Sequence, residues 1–436
     1  MIKCACCKLP LPISKIIQMF YYILSLVWYN YVMFDLSSPT VYIPVIFLTL
    51  VAIFVSVLYK DSKRHTHEHT RNLPYYNEIA MSVGYIIRNI HENGRFEYRK
   101  NVDPEITYDN KIYNSLRHAG TLYSLYMYEK YGLVSKYKDV RLISSKYFVE
   151  RYIKKLGQKR YAVISIPDEE DLNFPMAKSG AAGIALCALS NLYEEGGVEL
   201  DKLRGLGEFI LSMQNEDGNI YAYLNLKTKK INKDAEALYY PGEAAAGLMY
   251  LYETDPQEKW LNAAKKAVIY LAESRKPMDF NIPFDHWSAL AIEKLFAANL
   301  VTPQERVKLM NYCEQMAIPA LSSQITNKNN SYFGAFKNNI RPCSLGTIME
   351  GLASIYHCTD SGSLKQIILK SLSIGCLFLN RVQVKTGEQA GGLPNSANWV
   401  VKGVTPNASI IRIDNVQHVV LGWLKFQHIL QITSNY

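Results

Sequence analysis

The sequence has few cysteines, and none is arranged as a metal site or a disulfide framework would require. The 436 residues include eight cysteines, and the only C-x-x-C spacing, Cys4 to Cys7, has no second pair and no nearby histidine. Isolated cysteines in apolar helices are usually buried thiols. We therefore expect no metal site, no other cofactor, and a reducing compartment for the large domain.

Long runs of basic residues are also rare. The net charge is +9, but no Lys/Arg run stands out beyond Lys60 to Arg71, which argues against nucleic-acid binding. A mildly basic globule tolerates an anionic ligand. Tyrosine, by contrast, is plentiful at 32 residues. Tyrosine-rich pockets with carboxylates suit sugars, because the ring stacks on a sugar face while the hydroxyl group forms hydrogen bonds.

Two apolar stretches near the N-terminus are each long enough to cross a bilayer. Val41 to Tyr59 contains no charged residue, and residues 16–34 are also strongly apolar. Basic residues lie outside both stretches, and the connector between them has none. The positive-inside rule therefore predicts that residues 16–59 contact the lipid bilayer and that the large C-terminal domain is cytoplasmic. Either both stretches span as a helical hairpin, or only the second one spans.

These stretches divide the chain into three predicted parts. Residues 1–60 form a membrane anchor, residues 61–74 a basic linker, and residues 75–436 a helical domain. The linker histidines His65, His67 and His69 are expected to belong to a flexible, solvated tether.

From residue 75 onward the hydrophobic pattern predicts an almost entirely helical domain. The expected helices are 75–94, 112–131, 137–156, 176–195, 199–214, 239–254, 257–274, 285–299, 303–320, 343–358, 363–380 and 415–431. A long connection precedes each even-numbered helix and a short one follows it, which is typical of helical hairpins in a ring. The predicted fold class is all-α, an (α/α)6 toroid of helical hairpins preceded by an N-terminal transmembrane helix or helical hairpin. The connections at 161–166 and 219–224 have strand character and are expected to form small hairpins at its mouth.

The even-numbered helices begin with motifs rich in polar residues, glycine and proline. The motifs are Leu116-Arg117-His118-Ala119-Gly120, Pro175-Met176-Ala177-Lys178-Ser179-Gly180, Tyr239-Tyr240-Pro241-Gly242-Glu243, Pro283-Phe284-Asp285-His286-Trp287, Arg341-Pro342-Cys343-Ser344, and Arg412-Ile413-Asp414-Asn415-Val416-Gln417-His418. In a ring of hairpins every even-numbered helix begins at the same end. The six motifs therefore predict one shared pocket.

Four of these motifs resemble the C-terminal helical domain of the D-glucuronyl C5-epimerase family, over about residues 75 to 431. They are Arg117-His118-Ala119-Gly120, Tyr240-Pro241-Gly242-Glu243-Ala244, Asp285-His286-Trp287, and Arg412-Ile413-Asp414 with Gln417-His418. They are also similar to the wider group of (α/α)6 carbohydrate-active enzymes, including six-hairpin glycosidases. The resemblance implies an enzyme that acts on a uronic-acid-containing glycan, an anionic substrate, by abstracting the C5 proton, and the apolar N-terminal stretches predict that this enzyme is membrane-anchored.

Epimerisation at C5 needs a base, an acid on the opposite sugar face, and a cation for the developing negative charge. The candidate catalytic residues are Glu243, Asp285, His118, Tyr240 and His286. The candidate substrate-binding residues are Arg117, Lys178, Trp287, Glu350, Arg412, Asp414, Gln417 and His418.

Several of these residues also fit structural roles. Glu243 and Asp285 stand where a carboxylate stabilises or caps a helix start. Arg412 and Asp414 fit a buried ion pair, and His118 and His418 fit histidines of the core.

The sequence leaves other activities open. Glycoside hydrolysis needs two carboxyl groups about 5 to 10 Å apart, and Glu243 with Asp285 or with Asp414 supplies the candidate pairs. A lyase needs only a base and a charge neutraliser, and a non-catalytic glycan- or protein-binding toroid would keep the same aromatics and arginines. A terpenoid cyclase, a prenyltransferase or a lanthionine-synthetase-like enzyme is disfavoured, because the chain has no Asp-x-Asp-Asp motif and no Cys/His zinc set.

Overall fold

The computed structural model of the protein describes residues 74–131, 137–275, 282–337 and 339–434. The predicted membrane segment, residues 16–59, and the linker up to residue 73 lie outside the described residues. Among the described residues, one helix, Gly362–Val382, is long and apolar enough to cross a membrane. Its buried residues recur at helical spacing, as expected for a helix with one face on a protein core, so its length and composition are weak evidence of a span.

The described residues form fourteen α-helices, which we number in chain order. They are α1 Tyr76–Arg88, α2 Ser115–Lys130, α3 Lys138–Tyr152, α4 Pro167–Glu170, α5 Ser179–Leu189, α6 Leu200–Met213, α7 Tyr240–Thr254, α8 Glu258–Ser274, α9 His286–Ala297, α10 Pro303–Ser322, α11 Pro342–Cys358, α12 Gly362–Val382, α13 Asn398–Val401 and α14 Ile413–Ser434. Apart from the short α4 and α13, they correspond one to one to the helices predicted from the sequence.

Six of the helices form a closed inner ring. Helices α2, α5, α7, α9, α11 and α14 each pack against the next, and α14 packs back against α2. Each is preceded in the chain by a long outer helix: α1, α3, α6, α8, α10 or α12. The predicted (α/α)6 toroid of helical hairpins is therefore confirmed.

Small residues let the inner helices approach each other closely. Every residue of α5 is buried, and so are most residues of α7. A Cβ atom added to Gly183 on α5 would lie 2.2 Å from the backbone oxygen of Glu243 on α7. A Cβ atom on Gly247 of α7 would lie 2.3 Å from the backbone oxygen of Gly183. The two backbones are therefore in direct contact, which only glycine permits at these positions.

The connections form one five-stranded antiparallel sheet rather than the separate hairpins expected. Its strands, in spatial order, are β2 Ile153–Lys155, β3 Tyr161–Ser165, β4 Met176–Lys178, β5 Tyr223–Asn225 and β6 Lys230–Asn232. A separate pair joins β1 Arg99–Asn101 to β7 Ile410–Arg412. Because β4 pairs with both β3 and β5, the helix predicted to begin at residue 176 begins only at Ser179.

The interior of the ring is packed with side chains farther along the inner helices. The hydroxyl oxygens of Tyr123 and Tyr250 lie 3.0 Å apart, and the rings of Tyr123 and Trp287 lie 5.7 Å apart. Nζ of Lys425 donates to Oγ of Ser354 at 2.6 Å. These buried residues come from α2, α7, α9, α11 and α14, so they fill the ring from several sides.

Candidate active site

The starts of the inner helices lie together at one end of the ring. Arg117 at the start of α2 forms an ion pair with Asp414 at the start of α14, with 3.0 Å between Nε and Oδ2. His286 is the first residue of α9, and its ring centroid lies 5.5 Å from that of His418 on α14. Three of the helix starts that carry the sequence motifs are therefore in contact, as a shared pocket requires.

Three candidate residues form a compact group, which we call the histidine cluster: His286, Glu350 and His418. Nδ1 of His418 lies 2.7 Å from Oε1 of Glu350 on α11. The rings of the two histidines meet edge to face. The cluster thus joins three inner helices, and its two hydrogen-bonded members are 68 residues apart in the chain.

His286 is a buried imidazole with two unused nitrogens. Its exposed fraction is 4%, and neither ring nitrogen has a hydrogen-bond partner among the described residues. The aromatic rings of Tyr239 and Trp287 pack against it at 5.3 and 5.2 Å. Burial, followed by the charges of His418 and Lys425, lowers the pKa of His286 well below its usual value. The ring is therefore neutral at pH 7 and can accept a proton.

His418 is oriented by hydrogen-bonding groups at both ring nitrogens. Glu350 lies at Nδ1, and Nε2 of Gln417 lies 3.5 Å from Nε2 of His418. Oγ1 of Thr121 donates to Oε1 of Gln417 at 2.9 Å, which leaves the amide NH2 of Gln417 directed at His418. This network assigns the proton to Nδ1 and the lone pair to Nε2. Burial raises the pKa of Glu350, although the nearby His418 opposes the shift.

Glu243 is a buried carboxyl group on α7. Its Oε2 atom has no hydrogen-bond partner among the described residues, and a Cβ atom on Gly180 would lie 2.0 Å from it. Burial, and next the charge of Asp285, raises the pKa of Glu243 well above its usual value. Both causes favour the protonated form of the Glu243 carboxyl group. Tyr240, one turn earlier, packs against Tyr223 at 5.4 Å, and burial raises its pKa as well.

Lys178 is held by Glu170, a residue that we did not predict from the sequence. The Lys178 ammonium group donates to Oε2 of Glu170. Glu170 also accepts from Oγ of Ser115 at 3.0 Å and from Nδ2 of Asn114 at 3.1 Å. Much of the positive charge of Lys178 is therefore already neutralised, and what remains opposes the raised pKa of Glu243. In the sequence Glu170 is one of several acids in a short turn, where a solvated charge is the usual interpretation.

Asp285 caps a helix. Its Oδ1 atom accepts from the backbone N–H groups of Trp287 and Ser288, each at 3.1 Å. Its Oδ2 atom pairs with Nη1 of Arg275 at 2.7 Å. Burial raises the pKa of Asp285, although Arg275 opposes the shift. Both oxygens are used by the protein itself, so these contacts fit the capping role, and a catalytic role for Asp285 stays a prediction.

Arg117 and Arg412 share one carboxylate. Arg412 donates to Oδ2 of Asp414 at 2.8 Å, and Arg117 approaches the same oxygen. Burial alone would raise the pKa of Asp414, but the two guanidinium groups outweigh it and hold that pKa below its usual value. Two cations and one anion leave one net positive charge at this side of the site.

His118 and Trp287 lie in the core rather than at a free surface. Nδ1 of His118 lies 2.6 Å from the hydroxyl oxygen of Tyr113, and Nε2 lies 3.1 Å from the carbonyl oxygen of Ser144. Phe148 stacks on the His118 ring, and burial lowers the pKa of His118 to about 3. Both imidazole nitrogens are thus engaged inside the protein. Trp287 is fully enclosed, so it offers no exposed face on which a sugar would stack.

The histidine cluster is also the one group of three or more potential metal ligands found within the described part of the chain. One ligand atom from each of its residues lies within 4.8 Å of the others. Two imidazoles and one carboxylate are a donor set that suits divalent transition metals. The sequence spacing could not predict this group, because each member comes from a different helix.

The arrangement can transfer protons in two directions. The neutral His286 and the oriented His418 can each accept a proton, and burial favours the proton-donating form of Glu243. The net charge of the Arg117, Arg412 and Asp414 group can add electrostatic stabilisation. A proton-transfer enzyme needs this combination of groups held at one place.

Comparison with known proteins identifies relatives by structure alone. No known protein-family profile matches the chain, and no curated protein matches it at the level of sequence. A D-mannose isomerase is similar with a TM-score of 0.60 and 11% identity, over 82% of this chain and 100% of that one. The cellobiose 2-epimerase from Bacillus thermoamylovorans is similar with a TM-score of 0.58 and 12% identity, over 80% and 98%.

A glycosidase has the same architecture. An α-1,6-mannanase of glycoside hydrolase family 76 from Salegentibacter sp., an inactive variant bound to α-1,6-mannotriose, is similar with a TM-score of 0.56 and 13% identity, over 82% and 100%. At these identities the likeness establishes the fold. The chain is thus an (α/α)6 toroid of the architecture shared by carbohydrate epimerases, isomerases and glycosidases.

Proposed function

We propose that the protein is a carbohydrate epimerase or isomerase whose histidine cluster moves a proton on a sugar carbon. One observation carries the proposal. His286 is buried with both nitrogens unpartnered among the described residues, and it faces His418, which Glu350 orients. A buried imidazole without hydrogen bonds costs free energy, and buried titratable groups with strongly perturbed pKa values cluster at functional sites.

In the proposed reaction one histidine removes the proton from a carbon next to a carbonyl or carboxyl group. The electron pair of the broken C–H bond moves toward that group's oxygen, and the protonated Glu243 donates a hydrogen bond or a proton to it. The other histidine, which enters the step protonated, gives its proton to the carbon, and the first histidine leaves the step with the proton that it removed. Delivery to the opposite face of the same carbon gives an epimer, and Glu243 takes back its proton from the same oxygen. Delivery to the neighbouring carbon gives an isomer, and Glu243 then takes a proton from the hydroxyl group of the first carbon.

Glycoside hydrolysis is less well supported by the carboxyl groups. Asp285 is occupied by two backbone N–H groups and Arg275, and Asp414 is occupied by two arginines. Neither is a free partner for Glu243. The mannanase variant that is described as inactive has two adjacent aspartates replaced, and this chain has no two consecutive aspartates. A lyase reaction would begin with the same proton abstraction and is the alternative to epimerisation or isomerisation.

The choice of substrate follows from the cations that remain available. The group of Arg117, Arg412 and Asp414 retains one net positive charge, which favours a uronate and C5 epimerisation. Lys178 is neutralised by Glu170, which makes a neutral sugar, with reaction at C2, equally suited. The proposal therefore includes both substrates, a uronate that reacts at C5 and a neutral sugar that reacts at C2. It also includes the predicted membrane anchor at residues 16–59.

Deuterium incorporation measured by NMR tests the proposal. The full-length protein is incubated in deuterated water with mannose, cellobiose and glucuronate-containing oligosaccharides. Without chain cleavage, we expect deuterium at C2 of a neutral sugar or at C5 of a uronate after epimerisation, or at C1 of a neutral sugar after isomerisation. New reducing ends would identify a hydrolase and an unsaturated product a lyase, and no change in any sugar would contradict the proposal.

Variants link the incorporation to the cluster. His286→Asn and His418→Asn should each lower the rate by roughly 100-fold or more, because each removes one proton-transfer group. His91→Ala is the matched control, since His91 is an exposed histidine outside the site. A cluster variant with the wild-type rate would contradict the assignment.

A further inference from the structure

We propose that the histidine cluster is also a binding site for a divalent transition-metal ion, and that the ion and the sugar exclude each other. Binding of the ion does not depend on the proposed function, whereas the mutual exclusion rests on it. His286 and His418 supply imidazole nitrogens, and Glu350 supplies a carboxylate oxygen. Zinc, cobalt, nickel and ferrous iron bind to two histidines and one carboxylate in many proteins.

The ligand atoms are close enough to be brought together by side-chain rotation. They lie within 4.8 Å of one another, and Nδ1 of His418 and Oε1 of Glu350 are already 2.7 Å apart. His286 would lose no hydrogen bond on binding an ion, because its nitrogens have none among the described residues. A metal would therefore satisfy a buried imidazole to which no side chain or backbone group in the described part of the structure is hydrogen-bonded.

The surroundings hold the three ligands in place. Gly351, one residue after Glu350, packs closely against α9, since a Cβ atom there would lie 3.1 Å from Cα of His286. Gln417 and Thr121 extend the network behind His418. Partners of this kind orient metal ligands and strengthen binding.

The charge of the site permits a cation. Glu350 contributes a carboxylate, while the nearby buried lysine, Lys425, is already paired with Glu293, whose Oε2 lies 3.3 Å from Nζ. The ion would therefore not meet an uncompensated ammonium group. Three protein ligands leave coordination positions open for water or a small ligand, as in catalytic rather than structural metal sites.

Exclusion follows because the ion and the sugar proton compete at His286. An ion bound between the three side chains displaces the proton from Nδ1 of His418 and occupies a lone pair of His286 that accepts the sugar proton. Bound metal therefore blocks proton transfer, and a bound sugar blocks the ion. The expected behaviour is inhibition by Zn²⁺ that is competitive with sugar and reversed by a chelator.

Titration with Co²⁺ and Zn²⁺ tests the binding directly. The full-length protein is first treated with a chelator and dialysed, and His65, His67 and His69 are replaced by alanine in every sample to remove the linker histidines. We expect one equivalent of Co²⁺ to bind and give the visible absorption of nitrogen- and oxygen-ligated cobalt, and Zn²⁺ to displace it. Absence of binding would overturn the proposal.

Two variants and one control make the result specific. His286→Ala should weaken binding by at least about 100-fold, because even outer-shell partners of a metal contribute 10–100-fold. Glu350→Gln keeps the shape of the side chain and should weaken metal binding by a similar factor. This variant tests the site if His286→Ala does not fold. His91→Ala should bind as the parent does. Unchanged affinity in both cluster variants would overturn the site, whatever the outcome of the deuterium experiment.

Discussion

At the scale of single residues, burial shifts the pKa values of the acid and the base of the candidate active site in opposite directions. It favours the neutral form of His286 and the protonated form of Glu243, because an unpaired charge is costly away from water. The two shifts have the same cause and opposite chemical consequences. They give the protein a base and an acid at the same pH, which epimerisation requires.

The pH profile of catalysis should have an acid limb from His286 and an alkaline limb from Glu243. The base works when it is neutral, so activity should fall at pH values below the lowered pKa of His286. The acid works when protonated, so activity should also fall above the raised pKa of Glu243. We expect Glu243→Gln to lower kcat/KM by about 10²–10⁴-fold and to remove the alkaline limb of the profile. An alkaline limb that persists in this variant would exclude Glu243 as its source.

Glu170 should control the alkaline limb indirectly, through Lys178. Glu170→Gln releases the charge of Lys178, which would then lower the pKa of Glu243. The alkaline limb of kcat/KM should therefore move to lower pH. Glu169→Gln is the matched control, because Glu169 lies next to it but bonds instead to Arg151 and Tyr152. Equal shifts in both variants would indicate a general charge effect and contradict the role of Glu170.

The contact between His286 and His418 agrees with the sequence prediction, whereas the individual roles of the candidate residues stay predictions. The position of a motif at a helix start predicted that His286, Glu243 and His418 would lie at one end of the ring. Asp285 caps its helix and also pairs with Arg275. The sequence does not show that these two residues lie close together, whereas the fold does. His118 belongs to a motif at a helix start, yet its ring lies among aromatic residues and bonds to Tyr113.

At the scale of helices, the inner ring depends on glycines at the contacts between neighbours. Hydrophobic periodicity predicted the twelve long helices, because each is long enough to show its pattern. The sheet was harder to predict, since most of its strands are three residues long and pair with segments distant in the chain. Three residues carry too little pattern to define a strand or its register.

Gly183 should tolerate no larger side chain. In Gly183→Ala the new methyl group would lie 2.2 Å from the backbone oxygen of Glu243, so α5 and α7 must separate. We expect a loss of about 1–3 kcal/mol in the free energy of unfolding, measured by urea denaturation. Gly362→Ala, at the first residue of α12 and facing open space, is the control and should change stability by less than about 1 kcal/mol. Equal effects would argue against close packing of α5 on α7.

At the scale of the whole molecule, closure of the ring makes the first and last inner helices neighbours. Helix α14 packs against α2, and the pair of Arg117 and Asp414 joins their starts. The chain must therefore be nearly complete before the candidate active site exists. Buried ionisable groups within this ring link its stability to pH.

His118 should make the folded protein sensitive to acid. Its pKa is about 3 in the folded protein, against 6.5 for an unperturbed histidine, so below pH 6.5 the unfolded chain binds the additional proton. Stability should therefore fall as the pH falls between these two values, by up to about 1.4 kcal/mol per pH unit for this residue. His118→Phe should reduce that slope in urea denaturation series at several pH values. An unchanged slope would mean that His118 does not titrate between the folded and unfolded states in this range.

The packed interior of the ring has a consequence for the kind of glycan that fits. Tyr123, Tyr250 and Trp287 fill the space along the axis, and the pair of Lys425 and Glu293 lies farther along it. A polysaccharide therefore cannot be threaded through the molecule. A glycan therefore has to approach the histidine cluster from the end of the ring at which the inner helices begin, and we expect products to leave by the same end.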